Sequence, residues 1–293
     1  MSDAPVSVVT GANSGIGRAI ALHLAAQGHR VVGTVRSAAK ADKLVAMAGA
    51  AGVTIHLAEL DIADDTSVTQ GFGRILAEHG RVDHLVNNAG IGGNGTVEES
   101  STATILDVMN VDLCGAVRCA QAVLPHMRER GSGTIVNITS VAGRIAALAQ
   151  APYVASKWAL EGISEQLAQE MAPFGIRVAI IEPGVTKSSI FHKNIDAPNA
   201  TGAYDTHYRR MFQMYAAGIP NATDPFEVGA IVYRAITTTT PQLRYPVSWG
   251  GAELCEGRAN MTDADWVSLG AIESDEEYHA AFEHFFDLDI SPT

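Results

Sequence analysis

The chain has 293 residues, 47% of them hydrophobic and 18% charged, which is ample material for a core and excludes disorder over its length. Twenty Lys+Arg against 32 Asp+Glu give a formal charge of −12; a nucleic-acid binder driven by phosphate contacts would need a basic surplus or stripe, so that class is excluded. The acidity is local, because residues 252–293 hold eleven acids and one base, Arg258, whereas residues 1–251 are nearly neutral.

Met1 to Pro5 runs straight into a short apolar strand, with no basic segment leading into a hydrophobic leader. No apolar run approaches the roughly 18 residues of a membrane span. Cys114, Cys119 and Cys255 have neither metal-ligand nor disulfide spacing, so no metal is expected and a reducing cytoplasm fits best. Asn94, Asn137, Asn199 and Asn221 each open an N-x-[ST] sequon, but Asn137 falls inside a strand-like run, and the matches read as chance.

Short β-branched runs alternate with helical patterns along the chain. The predicted strands are Val6–Val9, Val31–Val35, Val53–Leu57, His84–Asn87, Thr134–Thr139 and Ile176–Glu182, with a seventh near Leu243–Val247. Their continuous apolarity suits strands covered on both faces. Ile16–Gln27 and Val68–His79 read as helices closed by Gly28 and Gly80. Strand, helix, strand in strict order predicts an α/β fold: one doubly wound, seven-stranded parallel Rossmann sheet in a single domain, residues 1–251.

Two segments depart from that rhythm. Residues 186–223 form an unusually long connection, expected to be a lid, and Tyr204, Tyr208, Met211, Phe212 and Tyr215 recur there at helical spacing. The next helix opens firmly at Asp224-Pro225-Phe226-Glu227. Residues 252–293 read as an acidic extension with one amphipathic helix, whose stripe is Tyr278, Ala281, Phe282, Phe285 and Phe286.

Directly after the first strand, Thr10-Gly11-Ala12-Asn13-Ser14-Gly15-Ile16-Gly17 opens a helix. Glycines there permit a tight turn and close approach of a pyrophosphate to the helix N-terminus. At the tip of the second strand, where an acid would hold a ribose 2′-hydroxyl, stand Val35 and then Arg36. That pattern favours NADP(H) over NAD(H), the other reading of Arg36 being a solvated surface cation. Asp61, before Ile62, can accept from an adenine amino group or simply cap a helix. Asn87-Asn88-Ala89-Gly90 suits a crossing where strand ends bond one another beside an adenine ribose.

Tyr153 and Lys157 lie four apart at the start of a helix, on one face. A neighbouring ammonium favours phenolate, which equips a tyrosine to exchange a proton with a carbonyl or alcohol oxygen. Ser140 stands at a carboxyl strand end, where open α/β sheets bind their ligands. Asn110 is an amide inside the otherwise apolar helical run Ile105–Arg128, able to anchor a water next to Lys157 or to serve helix packing.

Taken in order, Thr10-Gly-x3-Gly-x-Gly17, Asn87-Asn-Ala-Gly90, Asn110, Ser140, Tyr153-x3-Lys157 and Pro183-Gly184 with Thr186 resemble the short-chain dehydrogenase/reductase family over about residues 5–250. The resemblance implies a nicotinamide dinucleotide and an Asn-Ser-Tyr-Lys tetrad at Asn110, Ser140, Tyr153 and Lys157. It further implies that Tyr153 and Lys157 contact the nicotinamide ribose, that Asn88, Ala89 and Gly90 lie near the other ribose, and that Pro183, Gly184, Val185 and Thr186 meet the carboxamide. Arg36 after Val35 is similar to the family's NADP-preferring pattern, although Ser14, not a base, precedes Gly15.

The segment Gly131–Gly143 and Arg244–Val247 resemble the branch that handles hydroxysteroids and retinoids. The expected activity is interconversion of a secondary alcohol and a ketone, or an aldehyde, on a lipophilic molecule. Val141, Ala142, Phe191, Tyr204, Tyr208, Met211 and Phe212 are the expected substrate pocket, since lid aromatics outnumber the cations Lys187, Lys193, Arg209 and Arg210. A 3-oxoacyl thioester reductase is the enzymatic alternative, and a non-catalytic NADP(H) sensor the alternative of another class. Apolar surplus on the helices around 102–130 and 153–174 predicts a homodimer or homotetramer.

Overall fold

The computed structural model describes residues 4–188 and 198–291. Seven strands, β1 (Val6–Val9), β2 (Arg30–Val35), β3 (Ile55–Glu59), β4 (His84–Asn87), β5 (Gly133–Ile138), β6 (Ile176–Pro183) and β7 (Arg244–Val247), form one sheet in the order β3-β2-β1-β4-β5-β6-β7. Every neighbouring pair is parallel, with Val8 opposite both Val32 and Leu85. The apolar runs are unbroken because both faces are covered. Val9, Val86 and Ile181 pack toward α1 (Gly15–Ala26), α2 (Asp42–Ala50) and α8 (Pro225–Thr237). Val8, Leu85 and Ile135 pack toward α3 (Asp65–His79), α5 (Gly115–Arg130) and α6 (Ala151–Met171).

Strand β3 is displaced two residues from its predicted span. It is an edge strand, half exposed along its length, and the Val53 amide closes α2 by donating to Ala48 O at 3.0 Å. Apolarity marked burial there, while pairing continues to Glu59 opposite Val35. The run expected as one helix over 105–128 is α4 (Thr102–Met109), a wide π turn at Asn110–Cys114, and then α5. Within the long connection, α7 spans Asp205–Gly218.

Beyond β7 the chain forms three helices, where the sequence predicted one: α9 (Gly251–Asn260), α10 (Asp263–Ala271) and α11 (Asp275–Phe286). Leu254, Leu269, Tyr278, Phe282 and Phe286 build a third apolar cluster with Ile145, which follows β5. Five of the acids there, Asp263, Asp265, Asp275, Glu276 and Glu277, stand in the first turns of α10 and α11. They oppose the positive ends of those helix dipoles, and a Thr262–Asp265 capping box starts α10. Among the described residues no helix is long and apolar enough to cross a membrane.

Candidate active site

The strand order reverses between β1 and β4, and the loops leaving these strands are stitched together. The Thr10 hydroxyl accepts from the Asn88 amide at 2.9 Å and the Ala89 amide at 3.0 Å, while Asn88 Nδ2 donates to Thr10 O at 2.9 Å. Gly17 lies against this stitch. A Cβ at Gly17 would fall 2.3 Å from Asn88 Nδ2 and 2.5 Å from Gly11 O, so only glycine lets α1 approach so closely. Ser14 caps α1 without a side-chain hydrogen bond, which leaves first-turn amides for an anion. These features fit a dinucleotide pyrophosphate.

Arg36 lies exposed at the end of β2, and Lys40, which the sequence reading did not single out, borders with it a cavity that runs along the carboxyl ends of the strands. The turn carrying Lys40 is held by Ala38 N donating to Glu59 Oε1 at 2.7 Å. Asp61 uses one carboxylate oxygen to accept from Ala63 N at 3.0 Å and still borders the cavity.

At the ends of β5 and β6, Ser140 Oγ accepts from Ala142 N at 3.1 Å and donates to Pro183 O at 3.4 Å. The turn after Ser140 is pressed onto α6, because a Cβ at Gly143 would lie 2.9 Å from Glu161 Cγ and 3.0 Å from Lys157 O. That contact sets Ser140 relative to Tyr153 and Lys157. The same turn is tied down by Arg144 to Glu182 at 3.0 Å, and Arg244 bridges Glu161 at 3.0 Å and Glu182 at 3.5 Å. Burial pushes both of these carboxyls up, against the pull of their arginines. Lys157 Nζ stands 5.5 Å from the Tyr153 ring centroid and donates to Ile138 O at 3.4 Å.

Asn110, expected beside Lys157, is held elsewhere. Asn110 does not reach Lys157: its Nδ2 donates to Ala63 O at 3.4 Å and its Oδ1 accepts from Arg118 at 2.9 Å. Asp112, two residues on and 1% exposed, occupies that place. Its Oδ2 lies 3.3 Å from Lys157 Nζ, and its Oδ1 accepts from Ile91 N at 2.7 Å. Burial disfavours the Lys157 ammonium, but Asp112, Tyr153 and Glu161 outweigh it and hold the Lys157 pKa above its ordinary value. Residue type drew the reading to the amide; the π turn, which decides which residue faces α6, has no periodic signature.

One cavity of about 800 Å³ joins these groups. It is bordered by Gly11, Asn13, Ser14, Gly15, Ile16 and Gly17, by Arg36, Asp61, Ile62, Asn88, Ala89 and Gly90, by Ser140, Tyr153 and Lys157, and by Pro183, Gly184, Val185 and Thr186. Val141, Ala142 and Met211 line it too, as expected of the pocket. Tyr204, Tyr208 and Phe212 do not. Tyr204 hydrogen-bonds Glu98, Tyr208 donates to Pro198 O, and Phe212 is 40% exposed. The cavity face of α7 is instead Arg210, Met211, Met214 and Tyr215. Burial, with Tyr153 nearby, holds the Tyr215 phenol above its ordinary range, and Gln150 donates to its oxygen. Phe191 lies outside the described residues.

The remaining wall comes from the C-terminal helices: Leu254 of α9, Trp266 and Leu269 of α10, and Phe282 and Phe286 of α11. Asp275 fastens α11 to α7 through Arg209 at 2.7 and 3.0 Å and Arg210 at 3.2 Å. The buried Arg210 guanidinium also lies 4.0 Å over the Tyr278 ring.

A parallel doubly wound sheet, a glycine turn at its switch point and a tyrosine–lysine pair on a shared cavity define a dinucleotide-binding enzyme scaffold. The chain belongs to the short-chain dehydrogenase family, whose profile matches residues 5–199. It is thus an oxidoreductase of alcohol and ketone groups that works with NAD(P). It is 36% identical to human retinol dehydrogenase 8 over 257 residues, covering 83% of this chain and 82% of that protein. The crystal structure of a short-chain dehydrogenase from Streptomyces avermitilis matches with a TM-score of 0.79 and 36% identity, over 93% of this chain and all of that one. A metagenomic short-chain oxidoreductase in complex with NADP matches with a TM-score of 0.67 and 28% identity, over 83% of this chain and 96% of that one.

Proposed function

We propose that this enzyme uses NADP(H) to interconvert a secondary alcohol and a ketone, or to handle an aldehyde, on a lipophilic small molecule, with Tyr153 as general acid and base. The observation that carries this reading is the single cavity in which Ser140, Tyr153 and Lys157 stand between a glycine turn and an apolar chamber. In this reading the Gly11–Gly17 turn holds the pyrophosphate, Arg36 and Lys40 the 2′-phosphate, Asp61 the adenine, Lys157 the nicotinamide ribose and Pro183–Thr186 the carboxamide. The bound dinucleotide supplies or takes the hydride. Tyr153 gives its phenolic proton to the carbonyl oxygen in reduction and takes it back in oxidation, while Ser140, turning its hydroxyl away from Pro183 O, donates to the same oxygen.

Two cations beside the end of β2, with Val35 where an acid would hold a 2′-hydroxyl, support NADP(H). The similar metagenomic enzyme was crystallised with NADP, and a similar human protein is named for retinol. The apolar wall of Met211, Met214, Leu254, Trp266, Phe282 and Phe286 supports a lipophilic substrate. A homodimer or homotetramer is part of the reading: Leu106 on α4 and Trp158 and Ile163 on α6 are 65%, 48% and 43% exposed. So is a cytoplasmic location, with three free thiols.

The test is Tyr153→Phe with NADPH and hydrophobic ketones. Turnover is expected to fall by about 10²–10⁴-fold, the usual worth of a positioned acid, with NADPH binding retained by fluorescence. Unchanged turnover would remove the assignment of Tyr153. Wild-type activity confined to acyl thioesters or small polar carbonyls would remove the lipophilic substrate.

A further inference from the structure

Where the family resemblance implies a neutral amide beside the active-site lysine, this chain buries a carboxylate. Asp112 Oδ2 lies 3.3 Å from Lys157 Nζ, with the two side chains 0% and 6% exposed. Ile91 N fixes the other oxygen at 2.7 Å, and the Ser156 hydroxyl, which donates to Tyr153 O at 2.7 Å, lies 3.4 Å from Oδ2. The carboxylate is therefore locked in place by groups on the β4 loop and α6, and packing leaves it little room to turn: a Cβ at Gly90 would meet it at 3.2 Å. Among the described residues it is the ion-pair partner of Lys157.

The electrostatic consequence concerns Tyr153. An uncompensated ammonium stabilises a nearby phenolate, whereas an ammonium bonded to a buried carboxylate presents a dipole of much weaker field. The other titratable groups facing this pair do not restore that field. Glu161, on the same helix, is engaged by Arg244 of β7, and Glu182 of β6 by Arg144 and Arg244. Tyr215 of α7 bonds Gln150 and is held protonated by burial.

We propose that Asp112 is a positioning residue that neutralises Lys157 and so keeps Tyr153 in its proton-donating form, biasing the enzyme toward carbonyl reduction. The proposal rests on the oxidoreductase reading above. In reduction the phenolic O–H bond of Tyr153 would break and its proton pass to the carbonyl oxygen, leaving a phenolate, with the hydride for the carbonyl carbon supplied by the bound nicotinamide dinucleotide. Lys157 stays an ammonium throughout, held by Asp112.

The experiment is the pH profile of kcat/KM for alcohol oxidation in wild type, Asp112→Asn and Asp112→Glu. Removing one buried charge near the phenol is expected to move the ascending limb of Asp112→Asn to lower pH by about one unit. Asp112→Glu, which keeps the charge, should return it toward wild type. A superimposable Asn profile in a folded, NADPH-binding variant overturns the proposal, since a role in packing alone survives that near-isosteric change. Should Asp112→Asn fail to fold, isotope-edited infrared spectra of the wild type decide: all aspartates ionised at neutral pH supports the ion pair, and a buried protonated aspartic acid overturns it. Absence of any wild-type turnover on hydrophobic alcohols or ketones would instead count against the oxidoreductase reading, so the two failures are distinguishable.

Discussion

Replacing Phe286 by alanine probes whether the C-terminal helices are a wall of the cavity or a separate appendage. The ring is 1% exposed, sits 4.6 Å from the Phe282 ring centroid, and presses on α9 so closely that a Cβ at Gly257 would come within 2.5 Å of it. Deleting a buried phenylalanine in such a tight setting costs about 3–5 kcal/mol in lost transfer energy and residual cavity. An unfolding entropy of about 2.1 cal/mol/K per residue makes this a drop in Tm of roughly 5–8 °C for a cooperative chain of this size. Circular dichroism melts measure the drop, and hydrogen exchange shows whether protection is lost from α9–α11 together. Because Phe286 also borders the cavity, KM for a large hydrophobic ketone should rise while NADPH affinity holds. A melt within about 1 °C of wild type, with unchanged KM, would refute the view that α11 is an integral wall.

Arg36→Ala should lower kcat/KM for NADPH about tenfold, the loss of one exposed charge-assisted contact to a phosphate, and leave NADH nearly unaffected. Equal use of the two dinucleotides by the wild type would remove the reading of Arg36 and Lys40. The Asp275 carboxyl is held well below the usual carboxylate range, chiefly by its hydrogen bonds from Arg209, then by Gln213 and Arg210. A carboxyl depressed on folding stabilises above its unfolded pKa of about 3.9 and loses that contribution as the pH falls below it. Proteolysis of the C-terminal segment, slow at pH 6, should therefore accelerate as pH drops below about 4, and Asp275→Asn should flatten that dependence.

The sequence by itself determined the sheet and the local turns. Unbroken β-branched runs separated by helical spacing leave only a parallel sheet covered on both faces, and Gly17, Ser140, Tyr153 and Lys157 could be placed because each is tied to a strand end or the opening of a helix. Charge arithmetic located the acidic segment, and helical spacing the stripe of α11. What the sequence did not carry is anything settled by contact between distant segments. Asp112 rather than Asn110 meets Lys157 because a π turn, bonded i to i+5 instead of i to i+4, reorients the side chains after Met109. Tyr204, Tyr208 and Phe212 share helical spacing with Met211, yet only Met211 faces the cavity, because the face of α7 that turns inward is set by what α11 and residues 94–99 offer it. The acidic segment changed meaning most. Its acids serve helix starts and the Asp275 clamp, and its aromatics complete the chamber beside Tyr153, an arrangement that exists only once residues more than a hundred positions apart are packed together.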